Sequence, residues 1–102
     1  MEWSALFEPP ALQLREERSG VTVPIAAGLT IGRNRKADHV LNDPQVSGIH
    51  ARVERVAGAL VLVDQQSSNG TFVGEQRVTR CLLLPGVRLT LGETLFVVER
   101  QT

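Results

Sequence analysis

A chain of 102 residues, 42% apolar and 22% charged, has room for one hydrophobic core and falls among ordinary globular proteins rather than disordered ones. Eleven basic and eleven acidic residues cancel, which argues against broad binding to nucleic acid or to an anionic membrane, where excess positive charge is the usual footprint. Any anion site must therefore be local.

Residues 1–10 carry Trp3, Leu6 and Phe7 ahead of Pro9-Pro10, a pair that ends any helix. They read as an N-terminal arm able to pack an aromatic on a single domain spanning 11–102. Ala11 to Arg15 and Val21 to Ile25 alternate apolar and polar residues around Arg18-Ser19-Gly20, the pattern of a β-hairpin. Pro24 suits an edge or a strand end, because it gives no ladder donor. Leu29-Thr30-Ile31 predicts a short strand feeding Gly32-Arg33, and His39-Val40-Leu41 another, closed by the turn signal Asn42-Asp43-Pro44.

From Ile49 to Val56, Ala51 and Val53 share one face while Arg52 and Glu54 share the other. Ala57-Gly58 turns the chain into Leu60 to Val63, an all-apolar run expected to be a central strand. Thr71-Phe72-Val73 and Gln76-Arg77-Val78 flank Gly74-Glu75, and glycine first in a two-residue loop predicts a type II′ turn. After Pro85-Gly86, Leu89 to Leu91 and Leu95 to Val98 finish the core around Gly92-Glu93. Short strands with Gly, Pro and Asn punctuation, and no helical period anywhere, predict an all-β sandwich or barrel.

Cys81 is the one cysteine, so no internal disulfide is possible, and beside Leu82-Leu83-Leu84 it reads as a small buried apolar side chain. With His39, His50 and Cys81 there is no metal-ligand spacing, and no metal or other cofactor is expected. No basic-then-apolar leader and no apolar run of bilayer length is present. The expectation is a soluble, cytoplasmic domain that makes no membrane contact of its own.

Three clusters fall at turns between these strands, where the loops of a β-domain carry function. In Gly32-Arg33-Asn34-Arg35-Lys36, positive charge concentrates on an otherwise balanced chain. The Gly32-Arg33 pair taken alone reads as a tight bend followed by a solvated arginine. In Ser47-Gly48-Ile49-His50, a nucleophile and a base can be imagined with Asp64 as the orienting acid. No nucleophile-elbow pattern or other catalytic context supports that. The plainer reading lets His50 buttress neighbouring loops while Ser47 and the N–H groups around Gly48 face an anion. In Ser67-Ser68-Asn69-Gly70-Thr71, Asn-Gly serves equally as a tight turn or as a carboxamide able to pair with both donor and acceptor of a bound peptide backbone.

The ordered set Gly32-Arg33, Ser47-Gly48-Ile49-His50 and Asp64-Gln65-Gln66-Ser67-Ser68-Asn69-Gly70-Thr71 resembles the forkhead-associated (FHA) domain, whose pattern is Gly-Arg, Ser-x-x-His and Asp-x-x-Ser-x-Asn-Gly-Thr. The resemblance runs from about Ala11 to Glu99. It implies a β-sandwich of about eleven mostly antiparallel strands, with functional loops at one end that bind phosphothreonine-containing protein segments, and no enzyme activity. Carried over by position, Arg33 and Ser47 would contact the phosphate, Ser68 would assist, and Asn69 would hold the peptide backbone. Gly32, His50 and Gly70 would shape the loops. Gln45 and Gly48 stand where the family often has basic or amide side chains, which leaves Arg35, Lys36 and the Gly48 backbone as further candidate phosphate donors. The same departures motivate the alternative, an FHA domain that assembles proteins without reading phosphate, as in bacterial secretion apparatus.

Overall fold

A computed structural model describes residues 11–101, in which the two-residue alternation of the sequence becomes eleven strands and no helix. The expected arm over 1–10, with its aromatic residues, lies outside the described residues. The first hairpin pairs β1 (Leu12–Glu16) with β2 (Thr22–Pro24), and Pro24 indeed falls on an edge strand. β3 (Thr30–Gly32) and β4 (His39–Val40) follow, then β5 (Ala51–Val56) and β6 (Ala59–Asp64). The second half supplies β7 (Thr71–Val73), β8 (Gln76–Val78), β9 (Arg80–Leu82), β10 (Arg88–Leu91) and β11 (Thr94–Arg100).

They form two sheets. One is six-stranded in the order β2-β1-β11-β10-β7-β8, the other five-stranded in the order β4-β3-β5-β6-β9. Every pair is antiparallel except β3 with β4, where Ile31 opposes His39 and Gly32 opposes Val40. A loop this short joins two parallel strands because β4 is only two residues long and Asp38 anchors its start. The Asp38 carboxylate accepts from the Thr30 backbone N–H at 2.9 Å, and the Asp38 N–H donates to the Thr30 hydroxyl at 2.9 Å.

The core is the set of inward positions of both sheets, with Leu14, Ile31, Ala51, Val53, Leu62, Leu89, Leu91, Phe96 and Val98 all buried. Ala51 and Val53 face inward as their spacing requires, with Arg52 exposed opposite. The β6 strand is interior to its sheet, as expected of a central strand. It lies between β5 and β9, but of Leu60 to Val63 only Leu62 is buried, because the outer face of an antiparallel sheet can stay open to water. Cys81 is half-buried against the core, and burial raises its thiol pKa. Its strand, β9, is absent from the sequence reading. Only Thr79 separates it from β8, with no Gly or Pro to mark where the chain switches sheets.

The Gly74 turn has φ 58° at the glycine alone, as a type II′ turn requires. The β5–β6 turn is different: Ala57 has φ 50° and Gly58 φ 81°, the two left-handed residues of a type I′ turn. A Cβ is costly in that region, and asparagine tolerates it better than alanine. Ala57→Asn should therefore raise the unfolding free energy by about 0.5–1 kcal/mol. A urea titration showing an unchanged or lower midpoint would contradict a strained turn at Ala57.

Candidate functional site

The site begins where β3 ends. Gly32 does not take a positive φ, so its contribution is not the tight bend expected from sequence. What it supplies is close approach: a Cβ there would lie 2.0 Å from the Gly48 carbonyl oxygen. With that space clear, the Arg33 N–H donates to the Ser47 carbonyl and the Asn34 N–H to the Gly48 carbonyl, both at 3.0 Å. The arginine loop and the serine loop are thereby laid side by side.

The serine loop is held from two further directions. Asp43 accepts at one carboxylate oxygen from the Gln45 N–H at 2.9 Å, and at the other from the Glu93 N–H at 2.9 Å and the Thr94 hydroxyl at 2.7 Å. Burial pushes the Asp43 carboxyl pKa up, but the bonds from Thr94, Gln45 and Glu93 outweigh it and leave the group below its ordinary 3.8. From beneath, the fully buried His50 accepts the Ser47 N–H at Nδ1, 3.1 Å away. That bond leaves the imidazole proton on Nε2, which donates to the Gly70 carbonyl at 3.0 Å. Burial drives the His50 pKa below its ordinary 6.5, against the opposing pull of Gly70, Asp64 and Asp43.

The third loop is organised by Asp64. One oxygen accepts from the Ser67 hydroxyl at 2.5 Å and the Thr71 hydroxyl at 2.7 Å, while the other accepts from the Ser67 N–H at 3.0 Å. The Ser67 hydroxyl in turn accepts the Gly70 N–H at 3.0 Å, closing the loop on itself. Gly70 has φ 89°, and a Cβ there would meet Arg77 Nε at 2.7 Å. The same Arg77 donates from Nη2 to the Ser67 carbonyl at 3.3 Å.

Loops 33–38, 41–50 and 65–70 converge on a shallow depression of about 300 Å³, into which Arg33, Gln45, Ser47, Gly48, Ser68 and Asn69 project atoms, with Pro44 and Val46 completing the wall. Arg33, Ser47, Ser68 and Asn69, taken from separate clusters of the sequence, are therefore neighbours. Gly32, His50 and Gly70 are buried under them. Arg35 and Lys36 do not line the depression and are exposed elsewhere on the first loop. The Ser47 hydroxyl accepts the Ser68 N–H at 3.0 Å and keeps its own proton to donate. The Asn69 amide donates to the Gln45 carbonyl at 2.9 Å, leaving its oxygen and one N–H. Arg33 is exposed and meets no carboxylate within ion-pair distance among the described residues.

This geometry offers a guanidinium, hydroxyl protons and a carboxamide on one rim. It does not assemble a Ser-His pair, since Ser47 reaches His50 through its backbone N–H and the imidazole is sealed from solvent. Residues 29–92 match the family model for the FHA domain. The chain belongs to the FHA domain family. It is similar to the DNA damage response protein kinase DUN1 of Saccharomyces cerevisiae, 32% identical over 74 residues that cover 64% of this chain and 14% of the kinase. Among solved structures, an FHA domain with phosphothreonine-dependent interactions superposes with a TM-score of 0.81 at 29% identity, covering 90% of this chain and 98% of that one. EmbR of Mycobacterium tuberculosis in complex with a low-affinity phosphopeptide gives a TM-score of 0.84 at 28% identity, covering 96% of this chain and 26% of EmbR. The eleven-stranded sandwich anticipated from the motifs is thus the observed FHA fold.

The sequence reading missed two residues that brace this FHA rim, Asp43 and Arg77. Asn42-Asp43-Pro44 was legible as a turn, and an aspartate bonding an N–H two residues ahead is the usual chemistry of such turns. Nothing local marks Arg77, whose role depends on β8 lying behind the Gly70 loop.

The buried groups predict an acid response in two steps. The folded pKa of His50 lies below its unfolded value of 6.5, so its share of stability is full above that value. It is lost as pH falls from there toward the folded value, because the unfolded chain binds the proton first. Asp43 and Asp64 also sit below their ordinary 3.8, so a second loss should follow only beneath that value. Denaturation midpoints measured from pH 8 to pH 3 should decline first below about 6.5, and His50→Gln should remove that first decline. A midpoint that stays flat down to pH 4 would refute the buried, neutral His50.

Proposed function

We propose that this FHA domain binds phosphothreonine-containing segments of partner proteins in the cytoplasm, downstream of a Ser/Thr kinase. It acts as a reader that breaks no bond. The observation that carries the reading is the convergence of Arg33, Ser47, Ser68 and Asn69 on one depression. Arg33 supplies the charge, as the forked donor that phosphate oxygens match. The Ser47 hydroxyl and the backbone around Gly48 donate to the same group, and Ser68 adds a hydroxyl from the facing loop. Asn69 retains one acceptor and one donor, the pair that an extended peptide backbone needs. The phosphothreonine-dependent interactions of one similar FHA domain and the phosphopeptide bound by EmbR support the same ligand class.

A specific observation favours a second reading. Among the described residues, Arg33 is the single cationic side chain lining the depression, with Gln45 and Gly48 beside it, while Arg35 and Lys36 are not part of its lining. A rim with one charge is also what a phosphate-independent assembly module would retain. Retention on a phosphothreonine peptide library separates the two: selective capture supports the reader, while equal retention of unphosphorylated peptides supports plain assembly.

Charge-assisted hydrogen bonds contribute about 1.5–3 kcal/mol each. Arg33→Ala should therefore weaken binding to a selected phosphopeptide by roughly ten- to a hundred-fold. Equal affinities for the variant and the wild type in calorimetry would exclude the site as drawn. Affinity should also fall as the pH drops through about 6, the second pKa of a phosphate monoester. An affinity constant from pH 7.5 to 5.5 would rule out recognition of the dianion.

A further inference from the structure

The far end of the sandwich carries a feature that phosphopeptide binding does not use. β5 and β6 run from the rim at Ala51 and Asp64 to the Ala57-Gly58 turn, and β11 runs from the Gly92-Glu93 turn to Arg100. Around Gly58 and Arg100 lies an apolar groove of about 480 Å³, whose lining includes Leu60, Leu82, Leu84 and Pro85. Leu82 and Leu84 are 46% and 52% exposed, so neither is spent on the core. Arg55 and Arg100 stand among the lining side chains, and neither pairs with a carboxylate among the described residues.

We infer that this groove is the docking site of the chain's own residues 1–10. Ala11 lines the groove, and its carbonyl is fixed by the Gln101 N–H at 2.9 Å, so the preceding chain starts at the groove's wall. Reach is ample: Phe7 lies four residues before Ala11, about 13–14 Å of extended chain, and Trp3 eight residues, about 26–29 Å. The chemistry of the segment matches that of the cleft. Trp3, Leu6 and Phe7 offer large apolar surface to leucines otherwise left in water, while Glu2 and Glu8 carry the charge opposite to Arg55 and Arg100. A tether this short holds the segment at an effective concentration of order millimolar, so even a weak contact is occupied. The FHA domain as a folded unit then begins within residues 1–10 rather than at Ala11.

Trp3 is the sole tryptophan of the chain, so its fluorescence reports on this segment alone. In the intact chain, Trp3 should emit to the blue of free indole and resist acrylamide quenching. Leu84→Glu, at an exposed position, should leave the far-ultraviolet circular dichroism spectrum unchanged, shift emission to the red and raise quenching several-fold. Leu84→Met should retain the protection. Three results would overturn the inference. One is an emission maximum of fully hydrated indole in the wild type. Another is quenching indifferent to Leu84→Glu. The third is protection that disappears on dilution together with a dimer in sedimentation velocity, which would assign the groove to a second copy. No phosphopeptide enters these measurements, so their outcome is independent of what the rim binds.

Discussion

The buried imidazole of His50 is the point at which the rim is held together. It takes the Ser47 N–H on one nitrogen and gives its proton to the Gly70 carbonyl on the other, spanning the loops that precede β5 and follow β6. Both bonds require the neutral ring with its proton on Nε2, since a protonated Nδ1 would face the Ser47 donor with a second donor. Burial favours that neutral form. A side chain whose pKa in water lies within the physiological range is thus fixed in a structural role.

Around this clamp, the buried polar side chains of the loops are spent on one another. Asp43 and Asp64 each gather three donors, and the Gly32–Gly48 approach permits two backbone bonds between neighbouring loops. The groups left over at the depression are the Arg33 guanidinium, the Gln45 carboxamide, the hydroxyl protons of Ser47 and Ser68, and half of the Asn69 amide. They stand at the surface of a rigid bed, so a ligand meeting them need not order the loops first, which is a main cost of association.

The two ends of the sandwich divide the chemistry of the molecule. The rim is polar and tied to the core through buried hydrogen bonds, whereas the opposite groove is apolar with arginines on its lining. The open outer face of β6 belongs to neither. Its half-buried valines show that an all-apolar run in a sequence does not by itself identify a strand covered on both sides.

The sequence alone carried the fold class, because alternation and turn residues are local properties, and it carried the members of the rim, because the family's motif is written in residue types. Gly74-Glu75 as a type II′ turn and Pro24 on an edge follow from backbone chemistry within a few residues. The sequence could not show that Gly32 matters for its closeness to Gly48, that Arg77 braces Gly70, or that Arg35 and Lys36 stand away from the depression. Nor could it mark β9, which begins one residue after β8 in the other sheet. Each of these depends on which loops and strands become neighbours across the sandwich. Only the packing of the two sheets brings such distant stretches of chain together.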